Sequence, residues 1–159
     1  MENISEHVSY AESIHSDTAI EKHIDNTPPD NILAKMKVTA LNVFEPIRKR
    51  VSELRCGDSP LTIDSFYRSP DLNKEVGGAT GSQHMLGEAI DLNVNFPDFS
   101  REDLFELIKS EFEFDQLIFE GGTIDNPAWV HVSWSPTHNR KEVLRMVMQD
   151  GKPTYAIVQ

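Results

Sequence analysis

Three short segments in the second half of the chain alternate between apolar and polar residues. They span residues 89–94, 114–120 and 129–134, and each is rich in apolar, β-branched or aromatic residues and bounded by turn-forming residues. Successive side chains of a β-strand point to opposite faces, so a period of two residues is typical of a strand with one buried face. The sequence therefore predicts three strands of one sheet whose apolar side is buried.

The polar side of this predicted sheet would carry Asp91, Glu120 and His131, because each occupies a polar position of its segment. His84 lies a short distance before Asp91 in the chain. Two imidazoles and one carboxylate are ligands that proteins offer to zinc, and three protein ligands leave one coordination position open for chemistry. The pattern indicates a catalytic metal centre, with Glu120 as a spare carboxylate.

The composition limits the classes of protein that the chain fits. Its 159 residues, 38% of them hydrophobic, suit one domain with a single core, and we expect residues 1–159 to form it. The 26 acidic residues outnumber the 15 basic ones, which argues against nucleic acid as a partner because its recognition needs clustered lysine and arginine. The single cysteine, Cys56, excludes an intramolecular disulfide and a thiolate metal cluster.

The sequence also leads to an expectation about location. No apolar run approaches the roughly 20 residues that a helix needs to cross a bilayer, so no membrane partner is expected. The first residues lack the basic and apolar regions of a signal peptide. We therefore expect a soluble monomer that is made in the cytoplasm and acts on an external substrate only after release.

Helices are predicted mainly in the first half of the chain. Apolar residues recur at three- and four-residue steps over residues 30–54, which predicts a helix that Pro46 kinks or splits. Ser69 is a suitable N-cap before Pro70 and predicts a short helix, and Ser100 is expected to begin another. The expected core positions of the first helix are Leu33, Met36, Ala40, Phe44, Ile47, Val51 and Leu54.

Further strands are predicted over residues 61–67, 143–148 and 154–158. The last two are expected to form a hairpin around Asp150 and Gly151, a dipeptide that favours tight turns. Helices thus lead and strands dominate the second half. This order favours an α+β domain with helices packed on one face of a largely antiparallel sheet.

One segment resembles a known family. Ser82-Gln-His84-Met-Leu-Gly87-Glu-Ala-Ile-Asp91 is similar to the S-x-H-x-x-G-x-A-x-D signature of the zinc D-alanyl-D-alanine carboxypeptidase family. Trp129-Val-His131-Val-Ser133 is similar to the second histidine segment of that family. The resemblance covers most of the chain and is to the small peptidoglycan peptidases of phages and bacteria.

The resemblance implies a fold like that of the hedgehog domain and the D,D-peptidases. It also implies a zinc ion held by His84, Asp91 and His131, and cleavage of amide bonds in peptidoglycan stem peptides. Within that class, D,D-carboxypeptidase, D,D-endopeptidase and L-Ala-D-Glu endopeptidase activities stay open. A phage-type endolysin, which is made in the cytoplasm and then released, fits the expectation that the chain lacks a signal peptide. A non-enzymatic zinc module that binds a wall fragment or a protein partner is the alternative.

The general base is the point where the chain departs from many relatives. They carry an acidic residue three positions before the second histidine, where this chain has Ala128. Glu120 is the natural replacement, since it ends the preceding predicted strand and is similar to a glutamate of the hedgehog domain. Asp125 and Glu88 are the rival candidates.

Other residues are expected to support the chemistry. Arg68 is the second catalytic candidate, because its counterpart in the family lies near the active site and a guanidinium suits a carboxylate or a developing oxyanion. Ser82, Gln83 and Gln116 are the candidate substrate-binding residues. Ser133, together with Ser82 and Gln83, is a candidate for orienting the metal ligands.

Overall fold

Six α-helices form in the part of the chain that the computed structural model describes, namely residues 3–123, 125–149 and 152–158. They are α1 (Tyr10–Ser13), α2 (Asp17–Lys22), α3 (Asp30–Thr39), α4 (Glu45–Leu54), α5 (Pro70–Glu75) and α6 (Arg101–Glu111). Ser69 caps α5 by accepting a hydrogen bond from the Leu72 amide, and Ser100 caps α6 in a reciprocal capping box with Asp103. Both predicted helix starts are thus confirmed, and both follow from satisfying the free amides of a first turn.

A six-stranded sheet forms within the same described residues. Its strands are β1 (Thr62–Ser65), β2 (Ala89–Asn93), β3 (Gln116–Glu120), β4 (Trp129–Ser133), β5 (Glu142–Gln149) and β6 (Lys152–Ile157), in the order β1-β2-β4-β3-β5-β6. All neighbours pair antiparallel except β3 and β5, which run parallel. The predicted α+β class with a largely antiparallel sheet is confirmed. The predicted hairpin turn at Asp150 and Gly151 lies outside the described residues.

The long helix predicted over residues 30–54 is divided near its middle. A π-helical segment, Ala40–Phe44, joins α3 to α4, and the Glu45 amide donates to the carbonyl oxygen of Ala40. Pro46 lacks an N–H, and in an α-helix its ring collides with the carbonyl four residues earlier. The wider π-helical turn just before Pro46 accommodates the ring, and it interrupts the α-helix that Pro46 was predicted to kink or split.

The core lies between the helices and the apolar face of the sheet. The buried strand residues Ile90, Leu92, Val130 and Val132, with others of the same face, pack against apolar side chains of α3, α4 and α6. This arrangement confirms the predicted alternation. The prediction for Leu54 is wrong: it is 47% exposed because it is the last residue of α4, beyond the edge of the packed surface.

No described helix combines the length and the apolar character needed to cross a membrane.

Candidate metal centre

The pairing of β2 with β4 brings two of the predicted ligands together. Asp91 lies opposite His131 in this antiparallel pair, and His131 also lies opposite Ile118 of β3. Residues directly opposite one another in a sheet point to the same face. The Asp91 and His131 side chains therefore leave the sheet side by side, on the face turned away from the core, and both are buried.

The third predicted ligand, His84, comes from a short 3₁₀ turn, Gln83–Leu86, that ends at Gly87. Gly87 has a φ of 69°, in the left-handed region that glycine adopts without strain. The His84 Nδ1 atom lies 2.7 Å from the carbonyl oxygen of Phe66. Because a carbonyl only accepts, Nδ1 carries the proton, and the neutral ring keeps a lone pair on Nε2 for a metal.

Three donor atoms converge at one point. The His84 Nε2 atom lies 3.2 Å from Asp91 Oδ1 and 3.2 Å from His131 Nδ1, and His131 Nδ1 lies 2.8 Å from Asp91 Oδ1. Donors bound to tetrahedral zinc at about 2.0–2.1 Å are separated by roughly 3.3 Å. This donor set of two imidazoles and one carboxylate fits zinc in both chemistry and spacing.

The electrostatics of His84 and Asp91 favour the forms that bind a metal. Burial lowers the pKa of the His84 imidazole, which keeps the ring neutral. Burial alone would raise the pKa of the Asp91 carboxyl, but its close contacts with the two imidazoles outweigh burial and hold that pKa well below its ordinary value. A neutral imidazole and an ionised carboxylate are the ligating species.

Arg68 contacts the same carboxylate from the other side. Its Nη2 atom donates to Asp91 Oδ2 at 2.5 Å, and its Nε atom donates to Ser65 Oγ at 2.8 Å. The guanidinium thus fixes the plane of the carboxylate and leaves Oδ1 facing the two imidazoles. Arg68 thus lies at the site and contacts a candidate ligand.

Glu120, at the end of β3, lines the same cleft as His84, Asp91 and His131. Its Oε2 atom accepts a hydrogen bond from Trp129 Nε1 at 2.9 Å, and its Oε1 atom accepts one from the Tyr155 hydroxyl at 2.9 Å. Burial, followed by the charge of Glu120, raises the pKa of Tyr155 to about 12. The phenol therefore stays protonated and remains a donor at neutral pH.

A match to a family decides the classification. The family model described as Peptidase M15 matches residues 6–133, most of the chain and all of the elements from α1 to β4. The chain belongs to the Peptidase M15 family. This confirms the resemblance seen in the sequence.

A stretch of 43 residues is also 44% identical to the zinc D-Ala-D-Ala carboxypeptidase of Streptomyces albus G. The stretch is 27% of this chain and 17% of that protein, so the chain spans less than a fifth of this relative's length. The zinc cofactor expected from the sequence is supported by the donor set, by the family, and by a relative that carries zinc in its name.

The cleft of this M15 family member encloses about 670 Å³ above the three donors. The candidate substrate-binding residues Ser82, Gln83 and Gln116 all line it. The side-chain amide of Gln116 also donates to Glu142 Oε2. One of the three candidates thus has a side chain already tethered by a protein group.

Three sequence-based candidates lie elsewhere. Ser133 is fully buried, and its Oγ atom accepts from the backbone N–H of Gln116, so it joins β4 to β3 instead of orienting a metal ligand. Glu88 forms an ion pair with Lys35 and, like Asp125, is not among the residues that line the cleft. Of the three carboxylates considered for the base, Glu120 is the one in the cleft.

Two residues of the site carried no prediction of their own. Nothing in the sequence indicated that the indole of Trp129 would reach Glu120. Tyr155 follows all the motifs in the chain and reaches Glu120 only because β5 and β6 extend the sheet beyond β3.

Proposed function

We propose that this chain is a zinc-dependent peptidase that hydrolyses amide bonds in peptidoglycan stem peptides. The observation that carries the proposal is the convergence of His84 Nε2, Asp91 Oδ1 and His131 Nδ1 on one wall of a cleft that also holds Glu120. Family membership and a relative named for zinc and for D-Ala-D-Ala carboxypeptidase activity support the same reading. Action on the cell wall as a released monomer is part of the proposal.

His84, Asp91 and His131 would hold the ion. Bound there, zinc would supply a Lewis acid that polarises the scissile carbonyl and makes water a better nucleophile near neutral pH. Arg68 would keep Asp91 in its ligating orientation through the contact at Oδ2.

Glu120 would act as the general base and then as the general acid. Its carboxylate takes a proton from the attacking water as the water oxygen bonds to the carbonyl carbon, and it returns that proton to the amide nitrogen as the C–N bond breaks. The donors Trp129 and Tyr155 leave each carboxylate oxygen with acceptor capacity for this proton. Ser82, Gln83 and Gln116 would border the bound peptide.

Zinc content and hydrolysis of defined muropeptides, measured together, test the proposal. We expect one zinc per chain and a specific product by mass spectrometry, whose mass assigns the carboxypeptidase, D,D-endopeptidase or L-Ala-D-Glu endopeptidase activity. Glu120→Gln should keep its zinc and lose turnover by roughly 10²- to 10⁴-fold, the usual effect of a general base. Glu21→Gln removes an exposed carboxylate outside the cleft and serves as the control.

Zinc without cleavage of any muropeptide would refute the peptidase. That result would favour a zinc module that recognises a wall fragment or a protein. The replacement of the usual acidic residue by Ala128 is the feature that makes this second function worth testing.

A further inference from the structure

The β5–β6 hairpin extends the wall of the cleft beyond the part of the chain that matches the family. The match ends at residue 133, whereas the hairpin begins at Glu142. Leu144 lies opposite Ile118 in the parallel pair of β5 with β3, and Tyr155 lies opposite Met146 in the hairpin. Leu144, Met146 and Tyr155 consequently face the same side as Glu120, and all of them line the cleft.

Tyr155 is the hairpin residue that contacts the proposed base. Its hydroxyl donates to Glu120 Oε1 at 2.9 Å, while the other carboxylate oxygen accepts from Trp129 on β4. Donors from two different strands thus hold the two oxygens of one carboxylate that itself belongs to a third strand. This arrangement restricts rotation of the carboxylate about its terminal bond, which is otherwise a soft torsion.

The chemistry of the donor suits this purpose. A phenol is uncharged at neutral pH, so it orients an anion without neutralising its charge. A lysine or arginine in the same place would neutralise that charge. Tyr155 is half exposed, and Leu144 and Met146 line the same cleft. A hydrogen bond to a charged group contributes more than one between two neutral groups.

We infer that Tyr155 is a positioning residue of this site, which holds the Glu120 carboxylate in the orientation needed for proton transfer. The inference rests on the proposed peptidase function and adds to it a residue for which the family match assigns no role. It also makes the β5–β6 hairpin part of the catalytic unit.

A double-mutant cycle tests the inference in the zinc-loaded protein. Tyr155→Phe removes only the hydroxyl and should lower kcat roughly 10- to 100-fold while KM changes little, because the lost bond orients the base and does not bind substrate. In the Glu120→Gln background, Tyr155→Phe should have almost no further effect on the residual rate. Ile157→Ala, on the same strand but outside the cleft, is the control and should keep wild-type kcat.

A second readout does not depend on activity. The chain has three tyrosines, and Tyr155→Phe identifies the ¹³Cζ NMR signal of Tyr155. In wild type this phenol should have a pKa of about 12, and Glu120→Gln should lower it because the neighbouring charge is removed. An identical titration in the two proteins would show that the contact is absent and would overturn the inference.

The outcomes separate this inference from the proposed function. If wild type cleaves no muropeptide, the peptidase proposal fails and the catalytic role of Tyr155 fails with it. If wild type is active, Glu120→Gln is inactive and Tyr155→Phe keeps full kcat, only the role of Tyr155 is refuted. Equal losses from Tyr155→Phe in both backgrounds would refute it as well, because they would indicate a general structural effect.

Discussion

Substitution of Gly87 by alanine should destabilise the protein and disturb the metal centre together. Gly87 lies between the candidate ligands His84 and Asp91 and adopts a φ of 69°. A Cβ added there would lie 2.7 Å from Met36 Cγ and 3.1 Å from the carbonyl oxygen of Ile32. Both contacts are too close, and α3 carries both neighbours, so the turn cannot move away without separating from the helix.

The magnitude follows from two separate costs. An L-residue in the left-handed region costs about 1–2 kcal/mol, and inserting a methyl group into a filled core costs about 1–3 kcal/mol. The free energy of unfolding should therefore fall by about 2–5 kcal/mol. The hydrogen bond from Thr39 Oγ1 to the Gly87 carbonyl, at 2.8 Å, resists a shift that would relieve the clash.

Alanine substitutions at two other glycines distinguish the backbone cost from the packing cost when the free energy of unfolding is measured by urea denaturation. Gly77 has a φ of 72° with open space around the added Cβ, so Gly77→Ala should cost only about 1–2 kcal/mol. Gly57 has open space and no positive φ, so Gly57→Ala should leave stability unchanged or raise it by up to about 1 kcal/mol. Zinc content measured on the same samples should fall for Gly87→Ala alone.

A loss of stability from Gly87→Ala no greater than that from Gly77→Ala would show that packing of the turn against Met36 is irrelevant. A large loss of stability with unchanged zinc affinity would refute the second half of the argument, that this turn sets the spacing of the ligands.

Three further predictions concern charges and the metal. Arg68→Ala should weaken zinc binding roughly 10- to 100-fold in a chelator competition, since Asp91 Oδ2 loses its donor; an unchanged affinity would contradict this. The Arg140 guanidinium beside Asp115 holds the pKa of that carboxyl below its usual range. The ion pair of Asp115 with Arg140 therefore stabilises the protein above about pH 4, and this contribution is lost as the pH falls through the lowered pKa of Asp115. Between about pH 5 and 2, the free energy of unfolding should consequently fall less for Asp115→Asn than for wild type. Removal of zinc with EDTA should lower Tm. The lost stabilisation should be about 2.7 kcal/mol if free zinc had been at 100 times its Kd. The Tm of Asp91→Asn should not change on addition of EDTA.

Local chemistry made the metal centre predictable. Strand alternation alone placed Asp91 and His131 on one face, and the register of β2 with β4 sets them directly opposite each other. The position of His84 followed from its resemblance to a family motif, and the turn at Gly87 needed only the freedom of glycine. The helix caps at Ser69 and Ser100 were predictable for the same reason, because each is decided within four residues.

The features of the site that the sequence did not predict depend on pairing between strands that are distant in the chain. The orientation of the Arg68 guanidinium toward a ligand is decided by the position of β1 beside β2, and the burial of Ser133 by the position of β4 beside β3. The contact between Tyr155 and Glu120 requires the parallel pairing of β5 with β3, for which the alternation of single strands holds no information. Leu54 fits the helical period but lies where the helix ends.

The β5–β6 hairpin stands at the edge of the sheet, and among the described residues β6 supplies no member of the buried core. Met148 and Ile157 are instead largely exposed. An edge strand whose described side chains all lie outside the core opens at a lower free energy than the central strands, as hydrogen exchange of its amides would report. On gentle heating, the proposed base would therefore lose its hairpin donor while the three ligand side chains were still in place. Inactivation would begin as a local event at the sheet edge, ahead of both zinc release and global unfolding.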